Sequence, residues 1–301
     1  MLQTKTICML LLIPISTFSL DNQSFRLDFL NKIAKTNDPK LRKSPWYKRV
    51  MVTLSCGDCD YIPKVENAGS CYQDDDKRRV QVMHNGIKVV ESCYYGGKDP
   101  WMTNIIRGLR GHHEPQEERA FYEMLQYIPE DAVMIELGSY WAYYSLWFLH
   151  GYPTRHAILI EPSASRLNVG QANFKLNGQR GDFIHGFIRS KPVELNTVIN
   201  DRKLEKIHIL HSDIQGHELS MLRSIKKRIR EEMIDWIFVS THSNKLHKKC
   251  LDFLVKNGMS VVCEHNCSES YSYDGLIVCK RPSVPGPSHI EISKRKNRSE
   301  E

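Results

Sequence analysis

The chain has 301 residues, 41% hydrophobic and 9% aromatic, enough to bury a sizeable core, which excludes a low-complexity or disordered polypeptide. Its formal net charge of +7 comes from 42 Lys and Arg set against 35 Asp and Glu. Both signs are interspersed along most of the chain, so no nucleic-acid partner is expected.

Near the N-terminus Lys5 precedes an apolar run over residues 7–15, followed by the small residues Ser16, Thr17 and Ser19. This order reads as a secretory leader over residues 1–20. The run is shorter than the ~20 residues that span a bilayer, so no stable membrane span is expected. The expected location is the secretory pathway or the outside of the cell if the leader operates, and the cytoplasm otherwise. There are nine cysteines. Cys56 and Cys59 have CxxC spacing, and Cys71 and Cys93 follow. Disulfides, a zinc site and free thiols all fit this pattern. A leader that carries off Cys8 leaves an even eight and favours disulfides. Without a leader, free thiols are favoured.

Residues 21–114 form an N-terminal extension. Lys40, Arg42, Lys43, Lys48 and Arg49 make its first part basic, and it reads as a linker or a surface helix. Two β-prone runs at 80–83 and 87–90 flank Asn85-Gly86, a strong hairpin signal, so the extension is expected to be β-rich. The segment from Gly111 through His112, His113 and Glu114 could suggest a metal site, but it reads as a polar helix entry, and no metal is expected.

The pattern changes at residue 115. Apolar residues at Ala120, Phe121, Met124, Leu125 and Ile128 have helical spacing. Strands are then predicted at 133–137, 157–161, 183–188, 207–210 and 236–239. Helices are predicted at 144–149, 164–176, 218–233 and 246–255. Two last strands, at 260–262 and 276–278, are too close for a crossover helix and should pair antiparallel. Alternating strands and helices mean an α/β fold over residues 115–281: a Rossmann-like sheet, mostly parallel, with an antiparallel C-terminal hairpin. Residues 282–301, with Pro282, Pro285 and Pro287 and a basic end, read as a flexible tail.

In such sheets ligands bind beyond the carboxyl ends of the strands. Glu136, Gly138, Ser139 and Tyr140 follow the first strand, Glu161 ends the second, Asp213 follows the fourth and His242 the fifth. Gly138 permits a tight turn and close approach of a ligand. A carboxylate at Glu161 can accept two hydrogen bonds from a ribose diol. The loop lacks GxGxxG, and bulky Tyr140 and Trp141 hinder a cradle for pyrophosphate. One glycine flanked by an acid suits a cofactor without phosphates, such as S-adenosylmethionine.

Three segments in order carry a family resemblance: residues 134–146 (MIELGSYWAYYSL), Ile160-Glu161-Pro162-Ser163, and residues 211–218 (HSDIQGHE). Together with the lead-in at 111–118 they resemble the FkbM-type S-adenosylmethionine-dependent methyltransferases, over roughly residues 80–280. The resemblance implies a class I methyltransferase sheet and O-methylation of a hydroxyl on a carbohydrate or small-molecule acceptor. It places Glu136, Gly138 and Ser139 along the cofactor's methionine part, Glu161 at its ribose and Asp213 near methyl transfer; of the aromatic cluster after Gly138, Tyr140 is expected to face the cofactor. Two positions depart from the family pattern: Ala142 replaces a second glycine and Gln215 replaces a Glu. His242 is the first candidate for a base that takes the acceptor's proton, and His217 the second. The alternative is a catalytically inactive Rossmann-like binding domain of a secreted protein.

Overall fold

The computed structural model describes residues 15–37, 39–91, 101–186 and 194–296. The proposed leader before residue 15, Cys8, Cys93 and the end of the predicted third strand lie outside them. Among the described residues no helix is long and apolar enough to cross a membrane.

The extension begins with α1 (Ile15–Ala34), α2 (Pro39–Arg42) and α3 (Tyr47–Leu54). Helix α1 runs without a break through residue 20, where the leader was expected to end. A three-stranded antiparallel sheet follows, β1 (Cys71–Gln73), β2 (Arg79–Val82) and β3 (Lys88–Val90), with the Asn85-Gly86 turn between the last two. Then comes α4 (Trp101–Gly108). The extension is therefore helical first and β second, with the expected hairpin in its β part. The basic first part takes the helical of its two expected readings, and α3 and α4 each turn an apolar face to the core, burying Val50 and Leu54 and Trp101, Ile105 and Ile106. Edge strand β3 is covered: Asn177 and Asn173 accept hydrogen bonds from the Lys88 and Val90 amides at 2.8 and 2.9 Å.

The second part starts with α5 (Pro115–Leu125), which has its proline in the first turn, where the missing N–H costs nothing. There follow β4 (Val133–Leu137), α6 (Tyr143–Leu149), β5 (His156–Glu161), α7 (Ala164–Leu176), β6 (Asp182–His185) and α8 (Leu195–Asp201). The rest is β7 (Ile207–Ser212), α9 (Glu218–Ser224), α10 (Lys226–Arg230), β8 (Ile234–Thr241), α11 (Asn244–Lys256), β9 (Ser260–His265) and β10 (Gly275–Lys280). Seven strands form one sheet in the order β6-β5-β4-β7-β8-β10-β9. The first five are parallel; β10 runs antiparallel to both β8 and β9. The order reverses between β4 and β7, which makes the carboxyl ends of these two strands the natural ligand site.

One expected helix is two. Residues 218–233 break at Ile225, between α9 and α10. Asn196 of α8 donates to the Ser224 carbonyl at 2.7 Å, taking the acceptor that a continuous helix would use four residues on.

Extension and sheet share one core. Val50, Leu54, Trp101 and Ile105 belong to the same buried cluster as Phe121, Tyr143, Trp147 and Phe238. The segment after Arg281, expected to be flexible, is pinned as far as residue 296. Ile290 is buried and its amide donates to Val262, Ser293 donates to Asp58 through both amide and hydroxyl, and Lys294 pairs with Glu264. All seven described cysteines are free thiols, five of them buried, so the disulfide reading finds no support among the described residues.

Candidate active site

Glycine at position 138 is required twice over. Its φ is +76°, and a Cβ there would lie 1.9 Å from the Asp213 carbonyl oxygen. The turn after β4 therefore rests directly on the turn after β7, and the Asp213 amide in turn donates to Leu137 at 3.0 Å. Two clefts open on either side of this contact. Both are lined by Gly138, Tyr140, Asp213 and Gln215.

The smaller cleft, of about 70 Å³, reaches Glu161, Pro162 and Arg166. Glu161 is 2% exposed. One carboxylate oxygen accepts from the Tyr140 amide at 3.1 Å and the other from the Ser163 amide at 2.9 Å. A carboxylate has about four acceptor sites, so this one keeps capacity for further donors. His217 lines the same cleft.

The larger cleft, of about 290 Å³, lies between the sheet and the extension. Trp46, Arg49 and Met102 of the extension face Glu136, Ser139, His211, Ser240 and Asp274 of the sheet side. The Arg49 guanidinium sits over the rings of Trp101 and Tyr273 at 5.0 and 5.4 Å. Together the clefts match the low end of small-molecule sites, about 300–1,000 Å³.

Glu136 has a second duty. Its Oε2 accepts from the Ser145 amide at 3.1 Å and from the Ser145 hydroxyl, satisfying a donor in the first turn of α6. Burial pushes its carboxyl up to about 7, although Ser145 and the neighbouring His211 favour the charged form. The Ser139 hydroxyl, also on the cleft wall, is buried and has no hydrogen-bond partner among the described residues. An orphaned donor of this kind is costly unless a ligand or water meets it.

Asp213 and His242 come together as expected. His242 Nε2 lies 3.1 Å from Asp213 Oδ1 and 3.7 Å from Asp274 Oδ1, and Nδ1 lies 3.0 Å from Glu218 Oε1. Burial disfavours its charge, but these carboxylates outweigh burial and raise its pKa to about 10. The surrounding carboxylates favour the imidazolium form of His242. Burial, with Asp213 nearby, pushes Asp274 up to about 7 in spite of His242. Gln215 donates to Asp213 Oδ1 at 3.0 Å, a contact that an ionised glutamate, which is acceptor-only, could not make.

Ala142 sits in the left-handed region, φ +61°, and is fully buried at the N-cap of α6. Neither cleft is lined by it. It packs toward Gly170 of α7, where an added Cβ would come within 3.3 Å of the Ala142 methyl and 2.9 Å of the Tyr140 carbonyl.

Sequence reasoning missed a further pair. His211 Nε2 lies 2.6 Å from Glu117 Oε1, and Ser240 donates to the other oxygen at 3.1 Å. Burial opposes charge on His211, but Glu117 overcomes it and raises its pKa. The residues are 94 apart in the chain. The one local hint was strand register, since His211 pairs with Glu136 and so projects to the same face.

No protein-family profile matches the chain, and no curated protein matches it. Solved structures do resemble it. Precorrin-6y C5,15-methyltransferase from Geobacter metallireducens is 15% identical over 56% of this chain and 88% of its own, with a TM-score of 0.43. TrmK of M. capricolum, solved with S-adenosyl-homocysteine, is 15% identical over 57% of this chain and 71% of its own, with a TM-score of 0.40. The METTL16 methyltransferase domain is 11% identical over 67% of this chain and 86% of its own, with a TM-score of 0.45.

Proposed function

We propose that this chain is an S-adenosylmethionine-dependent methyltransferase of FkbM type that O-methylates a hydroxyl on a carbohydrate or other small molecule. The observation that carries the reading is the pair of clefts joined over Gly138. One ends in the Glu161 carboxylate; the other is polar with aromatic walls. The smaller, about 70 Å³, suits the ribose part of a nucleoside, with Glu161 accepting from its hydroxyls. The larger suits a methionine moiety beside Glu136 and Ser139, with an acceptor against Trp46, Arg49 and Tyr273. Tyr140 lies at the junction.

S-adenosylmethionine supplies a methyl group already activated on its sulfonium. The chain's own residues then mainly position the two partners. Asp213 lines both clefts and is the carboxylate placed to accept a hydrogen bond from the acceptor hydroxyl and to take its proton. His242 holds Asp213 in place and acts as a positioning residue. The methyl of Ala142 turns to α7, so this departure from the family pattern leaves the cleft open.

Calorimetry with S-adenosylmethionine on the wild type and Glu161→Ala tests the cofactor. Binding to the wild type, weakened at least tenfold in the variant, is the expected result. No heat with folded wild-type protein would overturn the reading in favour of an inactive binding domain. Transfer of labelled methyl to a panel of mono- and oligosaccharides then tests the acceptor class.

A further inference from the structure

The CxxC motif and the His-His-Glu segment are separate in the sequence but meet in space. Cys59 follows α3, His112 precedes α5, and Glu118 lies in the first turn of α5. All three are buried, and their donor atoms lie within 4.8 Å of one another. His112 Nδ1 pairs with Glu118, while its Nε2 is buried without a hydrogen-bond partner among the described residues. The Cys59 thiol donates to the Pro115 carbonyl at 3.3 Å, a bond that it gives up on becoming a thiolate.

We propose that Cys59, His112 and Glu118 bind one divalent cation of the zinc class, with a water as fourth ligand. A thiolate, an imidazole and a carboxylate form a donor set that suits zinc. Bond lengths of ~2.0–2.3 Å in a tetrahedron put donor atoms roughly 3.3–3.7 Å apart, so donors up to 4.8 Å apart draw in by up to about 1.5 Å while the His112 Nδ1–Glu118 pair opens to let both bind. One thiolate and one carboxylate offset the dication, with the His113 ring, 2.5 Å from Glu118 Oε1, as a further neighbour of that carboxylate and Glu114 as the carboxylate on its other side. Binding releases the Cys59 proton to solvent as the thiol becomes a thiolate. Glu118 is already held for the task, since its Oε1 accepts from the amides of His113 and Glu114 at 2.7 and 3.1 Å. Such a cation would tie the extension to α5 directly behind the larger cleft, whose wall includes the next residue, His113.

The test uses the full chain. Protein expressed in zinc-supplemented medium is expected to hold one zinc per chain by elemental analysis. Chain stripped with chelator and titrated with Co²⁺ should show a thiolate-to-cobalt charge-transfer band and the strong visible bands of a tetrahedral site. Cys59→Ser should abolish the charge-transfer band and weaken Co²⁺ binding at least tenfold. Cys250→Ser, a buried thiol on the other face of the sheet, should change neither. If circular dichroism shows that Cys59→Ser has not folded, His112→Gln is read in its place, with the same tenfold loss expected. Zinc-free wild type without a cobalt band would overturn the proposal, as would an unchanged band in the folded variant.

Discussion

A Cβ on residue 138 would fall 1.9 Å from the carbonyl oxygen of Asp213. Backbone stands on both sides of that contact, so neither partner can swing away. Gly138→Ala adds left-handed strain of roughly 1–2 kcal/mol and an overlap of about 1–3 kcal/mol. We expect a loss of at least about 2 kcal/mol in chemical denaturation. S-adenosylmethionine binding by calorimetry should fall in parallel, because both clefts share this turn.

Ala142 tests whether a departure from the family pattern matters. Ala142→Gly relieves roughly 1–2 kcal/mol of strain. It also forfeits about 0.8 kcal/mol of buried methyl and adds about 0.5–1 kcal/mol of unfolded-state entropy. The opposing effects nearly cancel, so stability should stay within about 1 kcal/mol of wild type. Cofactor affinity should not change. Gly170→Ala is the contrasting case, since its Cβ would press on the Tyr140 carbonyl at 2.9 Å. It should weaken cofactor binding, and Ala142→Gly should not rescue it.

His242 makes a pH-dependent contribution whose sign is definite. Its folded pKa, about 10, stands above the ordinary value of 6.5. The stabilisation is complete below about pH 6.5 and is lost as pH rises toward 10. His242→Gln should cost about 1–3 kcal/mol at pH 7, because Glu218 loses its cation, and nearly nothing at pH 10. Denaturant melts of both proteins at the two pH values check this. In NMR spectra the His242 ring should not titrate between pH 6 and 8; a midpoint near 6.5 would restore it as a base.

The C-terminal segment should prove structural. Removing residues 290–301 exposes the Ile290 site and leaves Asp58, 3% exposed, without its two donors from Ser293. Burial of one isoleucine is worth ~1.5–3 kcal/mol and an unsatisfied buried acceptor costs ~1–3 kcal/mol. The melting temperature should fall by at least about 6 °C. A truncated chain that melts like the wild type would return this segment to the status of a loose tail.

Much of the sheet was legible because its signals are local. Residues 133–137 are a short apolar run stopped by Gly138, and β4 has those bounds. Residues 164–176 begin after Pro162-Ser163 and end before Asn177-Gly178, and α7 has those bounds too. The antiparallel β9–β10 pair followed from a connection too short for a crossover helix. The α9–α10 break was not legible; at it the Ser224 carbonyl accepts from Asn196, 28 residues away, a partner no local pattern marks.

The sequence by itself determined the alternation of strands and helices, the glycine turn after β4 and the acids that end the strands, because periodicity and turn chemistry act over a few residues. Only the tertiary structure decided what those groups became. It closed Asp213, Asp274 and Glu218 around His242, which favours the charged form of the ring. It turned the Ala142 methyl toward Gly170 rather than into a cleft. It set Glu117 against His211 and gathered Cys59, His112 and Glu118 at one point. The protonation of a buried group depends on the charges that fold against it, and no local pattern records which distant residues those will be.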